Sequence, residues 1–197
     1  MGLITDEAGV ARCWWGTEPE IYRTYHDGEW GRPTTDDHRL FEKICLEGFQ
    51  AGLSWLTILR KRENFRSAFA GFSPQAVAGF GESEVTRLLG DAGIIRHEGK
   101  IRSTINNASH ALDLIEEKGS LFEHFRAWAE PSEVAPTEIP STTPASGDLS
   151  RDLKSRGWSF VGPTTLYAFM QSVGLVNDHV EGCHVRAECS RARRNLF

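Results

Sequence analysis

The sequence has no apolar run near the ~20 residues that a membrane span requires. Its first ten residues carry Asp6 and Glu7 without a basic cluster, so nothing there reads as a secretory signal. Cytoplasm is the expected location. A basic excess is missing too: 22 Lys and Arg against 27 Asp and Glu leave a formal net charge of −5. That weighs against coating nucleic acid by bulk charge and leaves only a local basic footprint, with Arg60-Lys61-Arg62, Arg66, Arg96 to Arg102, Arg151 to Arg156 and Arg191, Arg193 and Arg194 as candidates. Cysteine is scarce: Cys13, Cys45, Cys183 and Cys189. Four in a cytosolic-looking chain argue against a disulfide framework and leave metal binding or core packing. There is no repeat and no convincing apolar–polar alternation, which leaves sheet architectures without support.

Helical signals are plentiful. The 197 residues, 40% of them hydrophobic, suffice for one domain with a real core. Residues 11–34 look irregular, with a short helix at 19–26. Thr35-Asp36-Asp37 caps a helix running to about residue 50, and Leu40, Phe41, Ile44, Cys45, Gly48 and Phe49 give it a buried stripe. Ser54 caps the next helix through Leu59 to Phe69, and Ser73-Pro74 opens a short one. Another spans Glu82 to Leu89; a long helix follows Gly93 and stops at Gly119, and Ser120 starts one through Trp128. Residues 130–147, with four prolines, form a long loop, and such loops often have a job. Helix returns at 147–156, breaks at Gly157 and resumes after Gly162-Pro163. The expectation is an all-α chain folded as one globular unit over 1–197, two helical lobes with a pocket between them, residues 1–10 and 186–197 being loose.

Three constellations carry chemistry. The hairpin around Gly157-Trp158-Ser159-Phe160-Val161-Gly162 presents backbone N–H groups at a helix start, where a phosphate can sit, with Lys154 and Arg156 beside it. His179-x3-Cys183 and Cys13-x12-His26 offer two Cys and two His, the types and number for tetrahedral zinc, with Cys189 and His184 as rivals. Glu47, at the margin of an apolar stripe, shares the N-terminal region with Trp14, Trp15, Tyr22, Tyr25, Trp30 and Trp55, so a carboxylate among rings could grip a flat, electron-poor ligand. Each has a plainer reading as a tight turn, scattered core residues or an edge carboxylate.

The stretches Tyr25-His26-Asp27 with Glu29-Trp30-Gly31, Ile44-Cys45-Leu46-Glu47-Gly48, Gln50-Ala51-Gly52-Leu53-Ser54-Trp55, Arg60 to Asn64, Asp91 to His97 with Gly99-Lys100-Ile101, Phe160-Val161-Gly162 and Gly174 to Val180 occur in order. In these the chain resembles the 3-methyladenine DNA glycosylase I family of the helix-hairpin-helix glycosylases, from Cys13 to Cys183.

The resemblance implies a helix-hairpin-helix glycosylase fold and excision of 3-methyladenine from alkylated double-stranded DNA after base flipping, with no lyase step. Methylation at N3 makes the base cationic and weakens its glycosidic bond, so the enzyme chiefly extracts and holds the lesion. Glu47 is then the catalytic residue contacting the base, and Tyr22, Tyr25, Trp30, Trp55 and Trp15 bind it. Gln50 and Leu53 fill the gap in the duplex, and Gly162 meets the DNA backbone. The resemblance also makes Cys13, His26, His179 and Cys183 the ligands of a structural zinc ion tying the N-terminal segment to the region after the hairpin. A monomer without membrane or obligatory protein partner is expected. Asn177 stands where the superfamily usually carries an Asp, with Asp178 one residue along; no suitably placed Lys follows the hairpin, and Ala168 stands where a pocket Ser is expected. Against the enzyme stand a non-catalytic lesion binder on the same fold and a zinc-stabilised helical adaptor. Convergence of Glu47, Trp55 and Tyr25 separates the enzyme from both.

Overall fold

The computed structural model describes residues 2–131 and 134–197. Positions 132–133 of the expected loop, and Met1, lie outside the described residues. Capping chemistry sets most element ends. Helix α1 (Glu20–Gly28) follows a 3-10 turn at Trp14–Gly16. Helix α2 (Asp37–Gln50) starts where Asp36 accepts from the backbone N–H of His38 and Arg39, and α3 (Trp55–Ala68) where Ser54 accepts from that of Thr57. Ser73 and Pro74 open α4 (Pro74–Ala78), and α5 (Glu82–Gly90) follows. Helix α6 (Glu98–Lys118) ends at Gly119, whose φ of 89° allows the left-handed cap, and Ser120 caps α7 (Leu121–Phe125). Helices α8 (Pro144–Ser155) and α9 (Pro163–Ser172) form the hairpin. The first of these begins three residues before the expected 147, because Thr143 and Ser146 cap each other reciprocally and Pro144 takes the first helical position.

Two departures from the sequence reading lie at the ends. Leu3–Thr5 (β1) pairs antiparallel with Ala11–Cys13 (β2), Leu3 opposite Cys13. Three-residue strands are too short to show alternation, and β1 is exposed throughout. The expected loose stretch at 186–197 instead contains helix α10 (Arg186–Arg194), with Arg186, Cys189 and Arg193 buried. Its composition reads as a solvated tail, but the arginines serve as donors. Arg186 donates to the carbonyls of Asn177 and His179, at 3.0 and 2.6 Å, and Arg193 to those of Gly174 and Glu130. Guanidinium groups thus saturate carbonyls that the turns leave open.

Burial divides into two clusters. The large one packs α2, α4, α6, α7, α8 and α9 around Phe41, Phe49, Phe65, Phe69, Phe72, Phe125 and Phe169, all essentially without exposure. The smaller one gathers Cys13, Tyr25, Trp30, Leu59, Val180, Cys183, Val185 and Cys189 from both ends of the chain. Trp55 packs against both. A cavity walled by aromatic rings opens at this seam.

Candidate active site

Helix α2 runs through the large core, and its last turn delivers Glu47 to the seam with only 5% of its surface exposed. The sequence placed this residue at the margin of the stripe; the helix is buried on so many sides that the margin is also interior. Glu47 opens onto a cavity of about 360 Å³, at the low end of the ligand-cleft range. Its walls are Trp14, Trp15, Tyr22, Tyr25, Trp30 and Trp55. The rings brace each other. Trp15 meets Trp30 edge-on at 4.8 Å between centroids and Tyr22 at 6.0 Å, while Tyr25 lies 5.4 Å from Trp55. Rings locked in this way leave faces fixed in advance for a flat ligand. Gln50 and Ile139 also line the space, the latter reaching in from the long loop, and α9 contributes Ala168 and Gln171.

The electrostatics of the cavity are those of a buried carboxyl whose ionised form is opposed by burial and supported by Lys43. Glu47 accepts no hydrogen bond from any described residue. Burial pushes its carboxyl well above the ordinary carboxylate range, with Lys43, one turn earlier on α2, pulling the other way. Lys43 is itself buried, and burial draws its ammonium below the usual lysine value while Glu29 supports the charge. Its Nζ lies 3.4 Å from the Tyr25 hydroxyl, 4.4 Å from the centre of that ring and 3.5 Å from Glu29. Glu29 is engaged more tightly by Arg62 at 2.7 Å and Arg39 at 3.0 Å. Although burial opposes it, the Arg62 hydrogen bond and the surrounding cations hold that carboxyl at about 2. Lys43 was not among the residues expected from the sequence: a lysine in a helical stripe reads as solvent-facing.

Behind the ring wall lie the candidate metal ligands. Cys13, His26 and Cys183 are buried, with one ligand atom of each within 4.8 Å of the others. The Cys183 sulfur is 3.5 Å from His26 Nε2. His179 lies outside that compact group but next to it, its ring centroid 5.1 Å from that of His26. The donor chemistry fits a tetrahedral zinc ion on three grounds. His179 Nε2 is buried with no partner, and burial holds this imidazole neutral, at about 3. The far nitrogens are both engaged: His179 Nδ1 with the Asn177 side-chain oxygen and His26 Nδ1 with Asp27, each at 2.8 Å, the outer-shell pattern of ligating histidines. Cys183 is held low through its hydrogen bond with Cys13, and the same contact raises Cys13. Of the rivals, His184 joins His26 and Asp27 in a second compact donor group, 3.0 Å from Asp27, whereas Cys189, like His179, lies outside both compact groups among the described residues. Trp30 joins the two sites, its ring 4.6 Å from that of His179 and 4.8 Å from that of Trp15.

The expected DNA-contacting residues sit at the cavity mouth and beside the hairpin. The turn after α2 is exposed, with Leu53 at 42%, and Lys100 ties it down by donating to the carbonyls of Phe49 and Ala51. Phe160, exposed and at φ 55°, packs by its backbone oxygen and Cβ against Gly48, so hairpin and turn are neighbours. Gly162 caps α9 with extended φ and open space where a Cβ would stand. Lys154 is exposed, whereas Arg156 is engaged with Glu117 and Asp152.

A profile of the family described as methyladenine glycosylase matches residues 14–187. The chain belongs to this family. It is 52% identical over 181 residues to the DNA-3-methyladenine glycosylase 1 of Escherichia coli, spanning 88% of this chain and 96% of that one. It is 45% identical to the DNA-3-methyladenine glycosylase of Haemophilus influenzae, with 88% and 97% covered. Among solved structures, 3-methyladenine DNA glycosylase I from Staphylococcus aureus, described for its recognition of 3-methyladenine, superposes with a TM-score of 0.84 at 32% identity, covering 89% of this chain and 96% of that one. The methyladenine glycosylase fold is thus shared over nearly the whole chain. Glu47, Gln50 and the rings expected from the resemblance do line one cavity, together with Trp14 from the aromatic group that the sequence sets near Glu47; Ile139 and Gln171 line it as well, without having been expected. Gln171 had a signal available, since it lies one turn beyond Ala168 on the same helical face.

Proposed function

We infer that this protein is a DNA-3-methyladenine glycosylase, a base-excision enzyme that hydrolyses the N-glycosidic bond of 3-methyladenine in alkylated DNA and carries out no lyase step. The observation that carries the reading is the buried Glu47 carboxylate, walled by rings and bare of hydrogen bonds. A buried charge without a partner is costly, and a cationic base supplies the partner. A neutral adenine does not. Flipping costs a few kcal/mol, least at a damaged pair, and stacking on rings returns ~1–3 kcal/mol.

The chemistry is a substitution at C1′ of the sugar. The C1′–N9 bond breaks with its electron pair passing to the purine, which leaves as neutral 3-methyladenine. A water oxygen bonds C1′ and a proton is released. One positive charge persists until then, first on the ring and then on the sugar, so a single carboxylate in a low-dielectric cavity favours the whole course. Tyr22, Tyr25, Trp15, Trp30 and Trp55 hold the plane of the base. Gln50 and Leu53 occupy the vacated stack, and backbone N–H groups after Gly162 take a phosphate. Asn177, fully engaged in the interior, positions His179 and is not placed to activate water.

Cys13, His26, His179 and Cys183 would hold zinc, which when bound supplies a rigid cross-link between the N-terminal segment and the turn after α9. Through the Trp30–His179 contact this cross-link steadies the ring wall. The partner is double-stranded DNA carrying the lesion, and a monomer suffices for the reaction. No helix among the described residues is long and apolar enough to cross a membrane; action on DNA is consistent with a cytoplasmic enzyme. Incubating the protein with methylated duplex DNA and identifying every base released tests the reading: 3-methyladenine is expected, and its absence from the supernatant would end it.

A further inference from the structure

Helix α9 puts Tyr167, Ala168 and Gln171 along one side of the cavity seam. After the helix, Gly174 turns the chain at φ 71°, where a Cβ would stand 2.8 Å from Pro33 N, and Asp178 comes back against the helix. Its carboxylate is buried and accepts two hydrogen bonds on one oxygen, from the Tyr167 hydroxyl at 2.6 Å and from Gln171 Nε2 at 2.8 Å.

This arrangement decides the orientation of an amide. The two ends of a glutamine side chain are distinguished by their partners. A carboxylate can only accept, so the NH2 of Gln171 must face Asp178. Its carbonyl oxygen accepts no hydrogen bond from any described residue, and Gln171 lines the cavity beside Ala168, which brings no polar atom of its own. The wall therefore presents a fixed, unpaired acceptor a short way from Glu47.

Resting on the glycosylase reading above, we propose that Gln171, latched by Asp178, is the residue by which this pocket accepts a 6-amino purine and rejects a 6-oxo one. The exocyclic amino group of 3-methyladenine carries two N–H donors, so it can serve Gln171 Oε1 while the ring keeps its charge contact with Glu47. In 3-methylguanine the same edge carries an oxygen, and two acceptors would oppose each other in a space with little water. Cationic charge does not separate these two lesions; the amide does. A site built to receive a hydrogen bond discriminates strongly because a mismatched ligand leaves its polar groups unpaired.

The test uses DNA methylated to contain both lesions, with release of each base quantified over time. The unaltered enzyme is expected to prefer 3-methyladenine. Gln171→Leu should lower the ratio of 3-methyladenine to 3-methylguanine release by roughly tenfold, mainly through the first. Asp178→Asn frees the amide to turn its NH2 inward, so release of 3-methylguanine should rise in absolute rate. A merely structural role for either residue lowers both releases together and leaves the ratio fixed, which would overturn the proposal. If both variants fail to fold, the side-chain carbonyl resonance of Gln171 in the labelled, unaltered protein decides: it should move on saturation with free 3-methyladenine, and an unmoved resonance refutes the contact. An unaltered enzyme that releases neither base defeats the glycosylase reading, and the inference falls with it. An enzyme that releases 3-methyladenine while the variants keep its ratio defeats this inference alone.

Discussion

In the large core the biggest fully buried side chains are phenylalanines, leucines and isoleucines, with rings in contact from Phe49 through Phe65, Phe69 and Phe72 to Phe41. In the smaller cluster the interior is Cys13, Tyr25, Trp30 and Cys183, with His26 and His179 beside them at 0% exposure. The first is held by area removed from water, which many helices share. The second gathers fewer buried residues, mostly from the two ends of the chain, and mixes rings and aliphatics with cysteines and buried histidines. The cavity lies where the two meet. One side of it is held because it belongs to a packed core; the other is held by rings braced on one another and on histidines. A ligand site needs both: Glu47 can be kept dry only by the first, and a face for a cation can be made only by the second.

Four experiments would break or sharpen this contrast. The largest effect should come from Phe41→Ala, which leaves a void where nothing is exposed and should cost about 3–5 kcal/mol in denaturant unfolding while bound zinc stays constant. Loss of metal in that variant would show that the clusters are not separate.

Glu47→Gln should reduce 3-methyladenine release on the order of a hundredfold, because a buried cation loses its counter-charge. The same residue sets a pH dependence. Its folded-state value is raised by burial, so release should fall as pH drops through that raised value, at a pH above the ordinary carboxylate range. Stability should run the other way, declining as pH rises from the unfolded carboxylate value through the folded one, since only the unfolded chain ionises freely. Both slopes should flatten in Glu47→Gln. An acid limb unchanged in the variant assigns it to another group.

Asn177→Ala removes the acceptor that orients His179 and should weaken zinc affinity by about 10–100-fold, measured by competition with a chelator. The buried hydrogen bonds lost with it should also cost about 1–3 kcal/mol in denaturant unfolding, less than the Phe41 void. The smallest effect is expected from Lys154→Gln at the hairpin: a uniform, few-fold loss of DNA affinity and a salt dependence shallower by about one counterion. A binding constant flat with salt in the unaltered protein would remove the phosphate contact from the account.

Much of the molecule was legible in the chain. Helix ends followed the caps at Asp36, Ser54, Ser73, Ser120 and Gly119, since these are local hydrogen bonds that neighbours in sequence suffice to make. Basic residues misled, for a shared reason. Arg186 and Arg193 look like a solvated tail and Lys43 like a surface lysine, yet each has its charge placed inside the fold, Arg186 by the carbonyls of Asn177 and His179, Arg193 by those of Gly174 and Glu130, and Lys43 by Glu29. Composition records a charge and not the carbonyls or carboxylates that receive it. Asn177 looked like a weakened catalytic position; in the fold it is a support for a histidine.

By itself the sequence determined where the capped helices begin and end, which residues could ligate a metal, and which family the chain resembles, because these depend on residue type and short spacing. Only the tertiary structure decided that Glu47 is dry and unpaired, that Trp30 leans on His179, and that Asp178 turns an amide toward the cavity. Desolvation and hydrogen-bond direction are properties of an enclosed volume, and a volume exists only when distant segments close it.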